Sequence, residues 1–268
     1  EQGLTHKTDM SQTLIKTADE ILRLRASGQR LAGILQAVMA SVVPGITTND
    51  IDILAERLIR EAGGTPIFKG YRSGSGRPFP ASLCTSINEE VVHGIPRAER
   101  IIRAGDLVKL DIGMRFKGMV TDMARTLKMG DVTPEADRLV AVTEESLKRG
   151  IAELRPGARI SRYARAVQAF VEANGFSVVR DLVGHGVGHE LHEEPQVPNY
   201  VTREMDDFVL LPGMALALEP MVNAGAFGVK MARDNWTFIT SDGRPSAHFE
   251  DTVVMTEEGA DVVTKIGI

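Results

Sequence analysis

Four carboxylates set inside apolar, strand-like runs constrain this 268-residue chain more than any other feature. Residues 107–116 and 119–126 flank Lys117-Gly118, and this pattern reads as a β-hairpin with a two-residue turn. In that register Asp111 lies opposite Ala124, which makes Asp122 its diagonal neighbour on the same face. Val108, Leu110, Met114, Phe116 and Met119 lie close by, so the pair is expected to be largely enclosed. Glu219 ends the apolar run 214–218, and Glu250 stands between His248-Phe249 and the run 253–255. An ionised carboxylate buried without a partner is very costly. A fold for this chain has to supply partners for all four.

Half of the six histidines fall in one short stretch, "VGHGVGHELHEEP", residues 183–195. His185 and His189 have the four-residue spacing of a zinc-binding helix, but Gly184, Gly186 and Gly188 argue against a helix. Three interior glycines would cost about 3 kcal/mol relative to alanine. In an extended chain, residues four apart are separated by about 13 Å, whereas zinc–nitrogen bonds are about 2 Å. One metal cannot hold both, so at most one of the pair is a ligand. His189 is read as structural or solvent-facing.

Four helices are expected: 17–41, with Ile21, Leu22, Leu24, Leu31, Ile34, Leu35 and Val38 as its apolar set; 49–61; 133–154, with Pro134 just inside its start; and 161–173, closed by Asn174-Gly175. Shifting the chain by 112 residues lays Pro44-Gly45 over Pro156-Gly157 and Gly63 over Gly175. That points to an internal duplication, two interlocked halves in a single domain spanning 15–268. Residues 1–14 read as a polar lead.

The net charge of −5 gives no reason to expect a general nucleic-acid binder. A single cysteine excludes an internal disulfide framework and fits a reducing cytoplasm. No run reaches the length needed to span a bilayer, and no secretory signal is visible.

Taken singly, each acidic residue or histidine has an ordinary structural reading. Together, four carboxylates and one histidine make a ligand set for two divalent metals, about four negative charges against two dications. The absence of thiolates argues against structural zinc, and the donors suit Mn, Fe, Co or Zn. Such a centre provides a water nucleophile at neutral pH and polarises a carbonyl, so the expected reaction is hydrolysis.

The ordered blocks "NEEVVHGIP", "KLDIG", "TDMART", "GHGVGHELHEEPQVPNY", "ALEPMV" and "HFEDT" resemble type I methionine aminopeptidases, from about Ile15 to the C-terminus. The resemblance implies an α/β (α+β) pita-bread fold, its pseudo-twofold-related halves sharing an antiparallel sheet covered by helices. It assigns Asp111, Asp122, His185, Glu219 and Glu250 to the metals, with Asp122 and Glu250 bridging and Glu219 assisting proton transfer. His192 matches a group that stabilises the oxyanion, and His93 one that contacts the scissile amide. By position, Phe68, Tyr71, Phe79, Cys84, Leu191 and Trp236 resemble the methionine pocket. Asn88, Glu90 and Ser246 resemble a monovalent-cation site for Na or K.

The implied substrates are nascent polypeptide N-termini with a small second residue. They would be met by a monomer that associates transiently with the ribosome. One departure stands out: "RSGSGRP", 72–78, replaces what is usually about two residues near the pocket mouth. This Gly/Ser-rich loop is expected to be mobile. The rivals are an Xaa-Pro aminopeptidase of the same fold, a non-catalytic peptide- or ribosome-binding relative, and a mononuclear iron oxygenase. The last needs two histidines and one carboxylate, a poor fit to this set.

Overall fold

The computed structural model describes residues 14–72 and 76–267. The polar lead expected at 1–14 lies outside the described residues, position 14 apart, as do positions 73–75 of the insertion.

The helices form where their cap signals stand. α1 (Ala18–Ser41) opens on a capping box, in which Thr17 Oγ1 accepts from the Glu20 N–H and the Glu20 carboxylate accepts from the Thr17 N–H. α2 (Thr48–Glu61) repeats the device with Thr47 and Asp50, which starts it one residue ahead of the expected Asn49. α3 (Pro134–Ala152) has Thr133 as its cap and proline in its first turn. α4 (Ser161–Ala173) has no local cap, and Asp207 serves it from a distance. The Asp207 carboxylate accepts from the Ser161 N–H and hydroxyl, both at 3.0 Å. α1 buries Leu24, Leu31, Ile34, Leu35 and Val38 as expected, but Leu22 is 61% exposed. Two residues from Leu24 is the opposite side of a 3.6-residue helix.

Nine strands form the main sheet: β1 (Thr65–Pro66), β2 (Leu83–Ile87), β3 (Leu107–Phe116), β4 (Met119–Lys128), β5 (Gly184–Gly186), β6 (Glu193–Val197), β7 (Ala215–Leu218), β8 (Glu250–Thr256) and β9 (Gly259–Val262). The path runs β1-β3-β4-β8-β7-β5-β6, with β2 also on β3 and β9 on β8. Every pair is antiparallel. Two small sheets flank it, one of Ser177–Val178, Met221–Asn223 and Ser246–His248, the other of Glu90–Val92, Val229–Met231 and Phe238–Thr240.

The two helix pairs cover different stretches of sheet. Helices α1 and α2 share a core with Leu83, Val108, Leu110 and Ile112, while α3 and α4 share another with Leu216, Leu218, Val222 and Val253. The junctions before α2 and α4 use the same bonds. The Gly45 N–H donates to Ile102 O and the Gly157 N–H to Leu210 O, both at 2.8 Å. The Ile102 N–H returns to Ile46 O at 2.9 Å, and the Leu210 N–H to Ala158 O at 2.8 Å. The two junctions thus share a hydrogen-bonding pattern.

Candidate metal centre and substrate cavity

Five neighbouring strands of the main sheet deliver one site residue each. Along the path β3-β4-β8-β7-β5 these are Asp111, Asp122, Glu250, Glu219 (immediately past the end of β7) and His185. The β3–β4 hairpin has the expected register, Asp111 opposite Ala124 and Gly113 opposite Asp122. Its turn places Lys117 and Gly118 at φ 50° and 81°, the signs a two-residue hairpin turn requires. Glu250 also pairs with Ala124 from the other side, and His185 pairs with Ala217. The glycines beside His185 have a steric reason. A Cβ at Gly184 would lie 2.4 Å from Ala217 O, and one at Gly186 only 2.2 Å from Glu194 O.

Ligand atoms of Asp122, His185 and Glu250 all lie within 4.8 Å of one another. Glu219 Oε1 is 3.5 Å from His185 Nε2, and Asp111, in register with Cys84 on β2, lines the same cavity. Asp111 Oδ1 and Glu250 Oε1 are buried and have no hydrogen-bond partner among the described residues. Burial pushes Asp111 up to about 7, and burial with mutual repulsion pushes Asp122, Glu219 and Glu250 well above the usual carboxylate range. Burial pulls His185 down to about 3, so its ring is neutral. His185 Nδ1 faces Gly186 O at 2.9 Å, which leaves Nε2 turned toward the carboxylates. Crowded acidic oxygens without donors, beside a neutral imidazole, fit divalent cations. Burial and the neighbouring carboxylates push the Cys84 thiol up, so it is protonated beside them.

Above this floor opens a cavity of about 670 Å³. All six expected pocket residues line it, as do His93 and His192. The 72–78 insertion does not displace Tyr71 and Phe79. The Gly70 N–H donates to Phe79 O and the Phe79 N–H to Tyr71 O, both at 2.8 Å, which closes the insertion at its base. Phe79 meets Trp236 edge-on at 5.3 Å. His192 Nδ1 lies 2.6 Å from the Tyr71 hydroxyl, and its ring stands edge-on to His185 at 4.4 Å. His93 is held in the left-handed region at φ 59°, and burial pulls it down to about 4. His189 faces away from this cluster. Its Nε2 is 2.7 Å from Glu20 and its backbone N–H donates to Glu193, tying the start of α1 to the loop before β6.

Several residues in and around the site are not evident from the sequence. Asp234 accepts from the Trp236 and Thr237 N–H groups and pairs with Arg97 at 3.0 Å, so it orients the Trp236 turn. The Asp-Asn pair ahead of Trp236 is the one signal for it. His248 is 1% exposed, with neither ring nitrogen bonded, and its Nε2 is 3.7 Å from Glu219 Oε2. Its place two residues before Glu250 is what could have marked it. Asn88 and Ser246, expected beside a Na or K ion, meet a lysine instead. Lys109 Nζ donates to Asn88 O at 2.7 Å and to Ser246 O at 3.0 Å. Burial pulls this ammonium down to about 7, with Glu90, Glu89 and Asp106 opposing.

Residues 23–257 match the profile of Metallopeptidase family M24, and the chain belongs to that family. Methionine aminopeptidase 1 of Bacillus subtilis is 44% identical over 253 residues, covering 94% of this chain and 99% of that one. The crystal structure of a methionine aminopeptidase from Thermotoga maritima superposes with a TM-score of 0.88 at 42% identity, covering 94% and 98% of the two chains. An Xaa-Pro dipeptidase from Bacillus anthracis superposes at 0.78 with 24% identity, but this chain covers 64% of its length, and the likeness carries the fold alone.

Proposed function

We propose that the protein removes N-terminal methionine from peptides by metal-dependent hydrolysis of the first peptide bond. The observation that carries this reading is the floor: four carboxylates and a neutral imidazole from five adjacent strands, under a cavity walled by Phe68, Phe79, Leu191 and Trp236. An unbranched thioether gains from such apolar and aromatic walls. Asp111, Asp122, His185, Glu219 and Glu250 would hold two divalent ions, Mn, Fe, Co or Zn, with Asp122 and Glu250 at the centre of the set. When bound, such ions polarise the scissile carbonyl and provide a water nucleophile at neutral pH.

The remaining roles belong to the chain's own groups. Glu219, enclosed and pushed upward by burial, moves a proton between the attacking water and the leaving amine. The Tyr71 phenol, itself pushed up by burial, keeps its proton and donates to His192 Nδ1. That fixes the tautomer in which His192 Nε2–H is free to donate to the developing oxyanion. His93, neutral and strained, contacts the scissile amide. A bulky second residue would clash near the floor, so small ones are preferred.

The physiological substrates are nascent chains in the cytoplasm, met by a monomer of one domain, 15–268, that visits the ribosome transiently. The single, buried, free cysteine supports a reducing compartment, and no helix among the described residues is long and apolar enough to cross a membrane. Hydrolysis of Met-Ala-Ser beside an Ala-Pro-leading peptide, with the metal varied, tests the proposal. Preference for the Ala-Pro peptide would transfer the protein to the Xaa-Pro class.

A further inference from the structure

Lys109 is 1% exposed and stands on β3 two residues before Asp111. Its ammonium gives no hydrogen bond to the acidic floor. It donates instead to two main-chain carbonyls, Asn88 O and Ser246 O. Asn88 turns the chain in the left-handed region (φ 53°) just ahead of the strand that leads to His93. Ser246 opens the strand that leads to Glu250 and also donates its N–H to Asn88 O at 3.0 Å. One buried ammonium therefore joins the three segments that carry Asp111, His93 and Glu250. Convergent main-chain carbonyls are also what an alkali cation uses in place of its hydration shell.

We propose that Lys109 is this protein's built-in cation, a positioning residue whose ammonium does the work of a bound monovalent metal ion and makes the fold and the site independent of one. A cation carried on the chain cannot be diluted away. It ties the geometry of the floor to the β2 turn without ionic control. The effect on catalysis rests on the aminopeptidase reading, whereas the effect on stability does not.

The test replaces Lys109 by alanine, which leaves a space facing both carbonyls, and by methionine, which fills that space without charge. Metal-loaded wild type and both variants are melted in KCl, NaCl and choline chloride at one ionic strength, and assayed on Met-Ala-Ser. Wild type should melt at the same temperature in all three salts. Lys109→Ala should melt lower in choline and recover in KCl along a saturating curve. Its kcat/KM should fall about 10–100-fold, as for groups that orient metal ligands, and recover in parallel. Lys109→Met should show the loss without the recovery.

Saturable stabilisation of wild type by K or Na ions would overturn the proposal. So would a Lys109→Ala protein that is either unaffected in choline or equally damaged in every salt. If that variant is insoluble, refolding takes the place of melting: yield restored only in KCl supports the idea, and failure in all salts overturns it. A wild type inactive on Met-Ala-Ser would sink the aminopeptidase reading while leaving the melting comparison to judge Lys109.

Discussion

The floor of the cavity takes one side chain from each of five neighbouring strands, whereas Phe68, Tyr71, Phe79, Leu191, His192 and Trp236 in its walls lie outside any strand. Ladder hydrogen bonds fix the floor, so the spacing of its carboxylates follows from register. The walls are set by pairwise contacts, Tyr71 on His192 and Phe79 on Trp236. A floor residue cannot shift without moving a strand, but a wall residue can be exchanged one at a time. Substitutions in the floor should therefore act on metal content and those in the walls on rate.

The sharpest way to break this division is to remove a carboxylate assigned to both metals. Asp122→Ala or Glu250→Ala should lose binding at both metal positions, read by elemental analysis, with activity down about 10³-fold or more. That scale follows from several kcal/mol of charge stabilisation at about 1.4 kcal/mol per decade. Full two-metal occupancy in Glu250→Ala would refute the bridging assignment. The same crowding predicts the behaviour of metal-stripped protein. Asp111 is raised from 3.8 to about 7, so the folded state binds the proton more tightly than the unfolded chain does. That contribution is complete below about 4 and is lost as pH rises through 7. The melting temperature of stripped protein should fall across that window, and metal should restore it. A stripped protein that gains stability from pH 5 to 7 would contradict the burial of these carboxyls.

Two histidines three residues apart sharpen the boundary between wall and scaffold. His192→Ala should lower kcat about 10²–10³-fold, the scale of a lost oxyanion donor, with metal content intact. Tyr71→Phe should lower kcat less, about tenfold, because it only frees the tautomer that Tyr71 imposes. His189→Ala should leave kcat alone and lower stability by about 1 kcal/mol or less, since its bond to Glu20 is partly exposed. Equal, large losses of rate at positions 189 and 192 would show that the loop works as a unit.

The floor was legible in the sequence because strand periodicity is local. Asp111 and Asp122 are eleven residues apart across a two-residue turn, and alternation alone puts them on one face. Helix starts were legible for the same reason, with Thr17, Thr47 and Thr133 each capping within its own turn. Contacts between distant segments were not legible. Asp207 caps α4 from 46 residues away, and Lys109 reaches Ser246 across 137. Nothing near Lys109 marks it as buried beyond its place in an apolar run, and a strand lysine is ordinarily expected to reach solvent. The wall residues were assigned by resemblance, and the Gly70–Phe79 and Tyr71–Phe79 hydrogen bonds keep Tyr71 and Phe79 together across the longer segment.

The smallest expected effect belongs to that insertion, the most individual part of the wall. Arg77 lines the cavity, and Arg72 is exposed next to the lining residue Tyr71. No candidate ligand lies between 72 and 78, and the Gly70–Phe79 and Tyr71–Phe79 bonds close the segment below its tip. Replacing 72–78 with two glycines should therefore leave metal content and Met-Ala-Ser turnover nearly unchanged. It should reduce kcat/KM a few-fold for long peptides carrying acidic residues beyond the second position, because exposed charges act through a screened field. Raising salt from 0.01 to about 1 M shortens the screening length from about 30 Å to about 3 Å, so the gap between wild type and variant should close. A loss that is equal for all peptides and indifferent to salt would mean the insertion shapes the pocket through Tyr71 and Phe79. The wall would then be as tightly built as the floor.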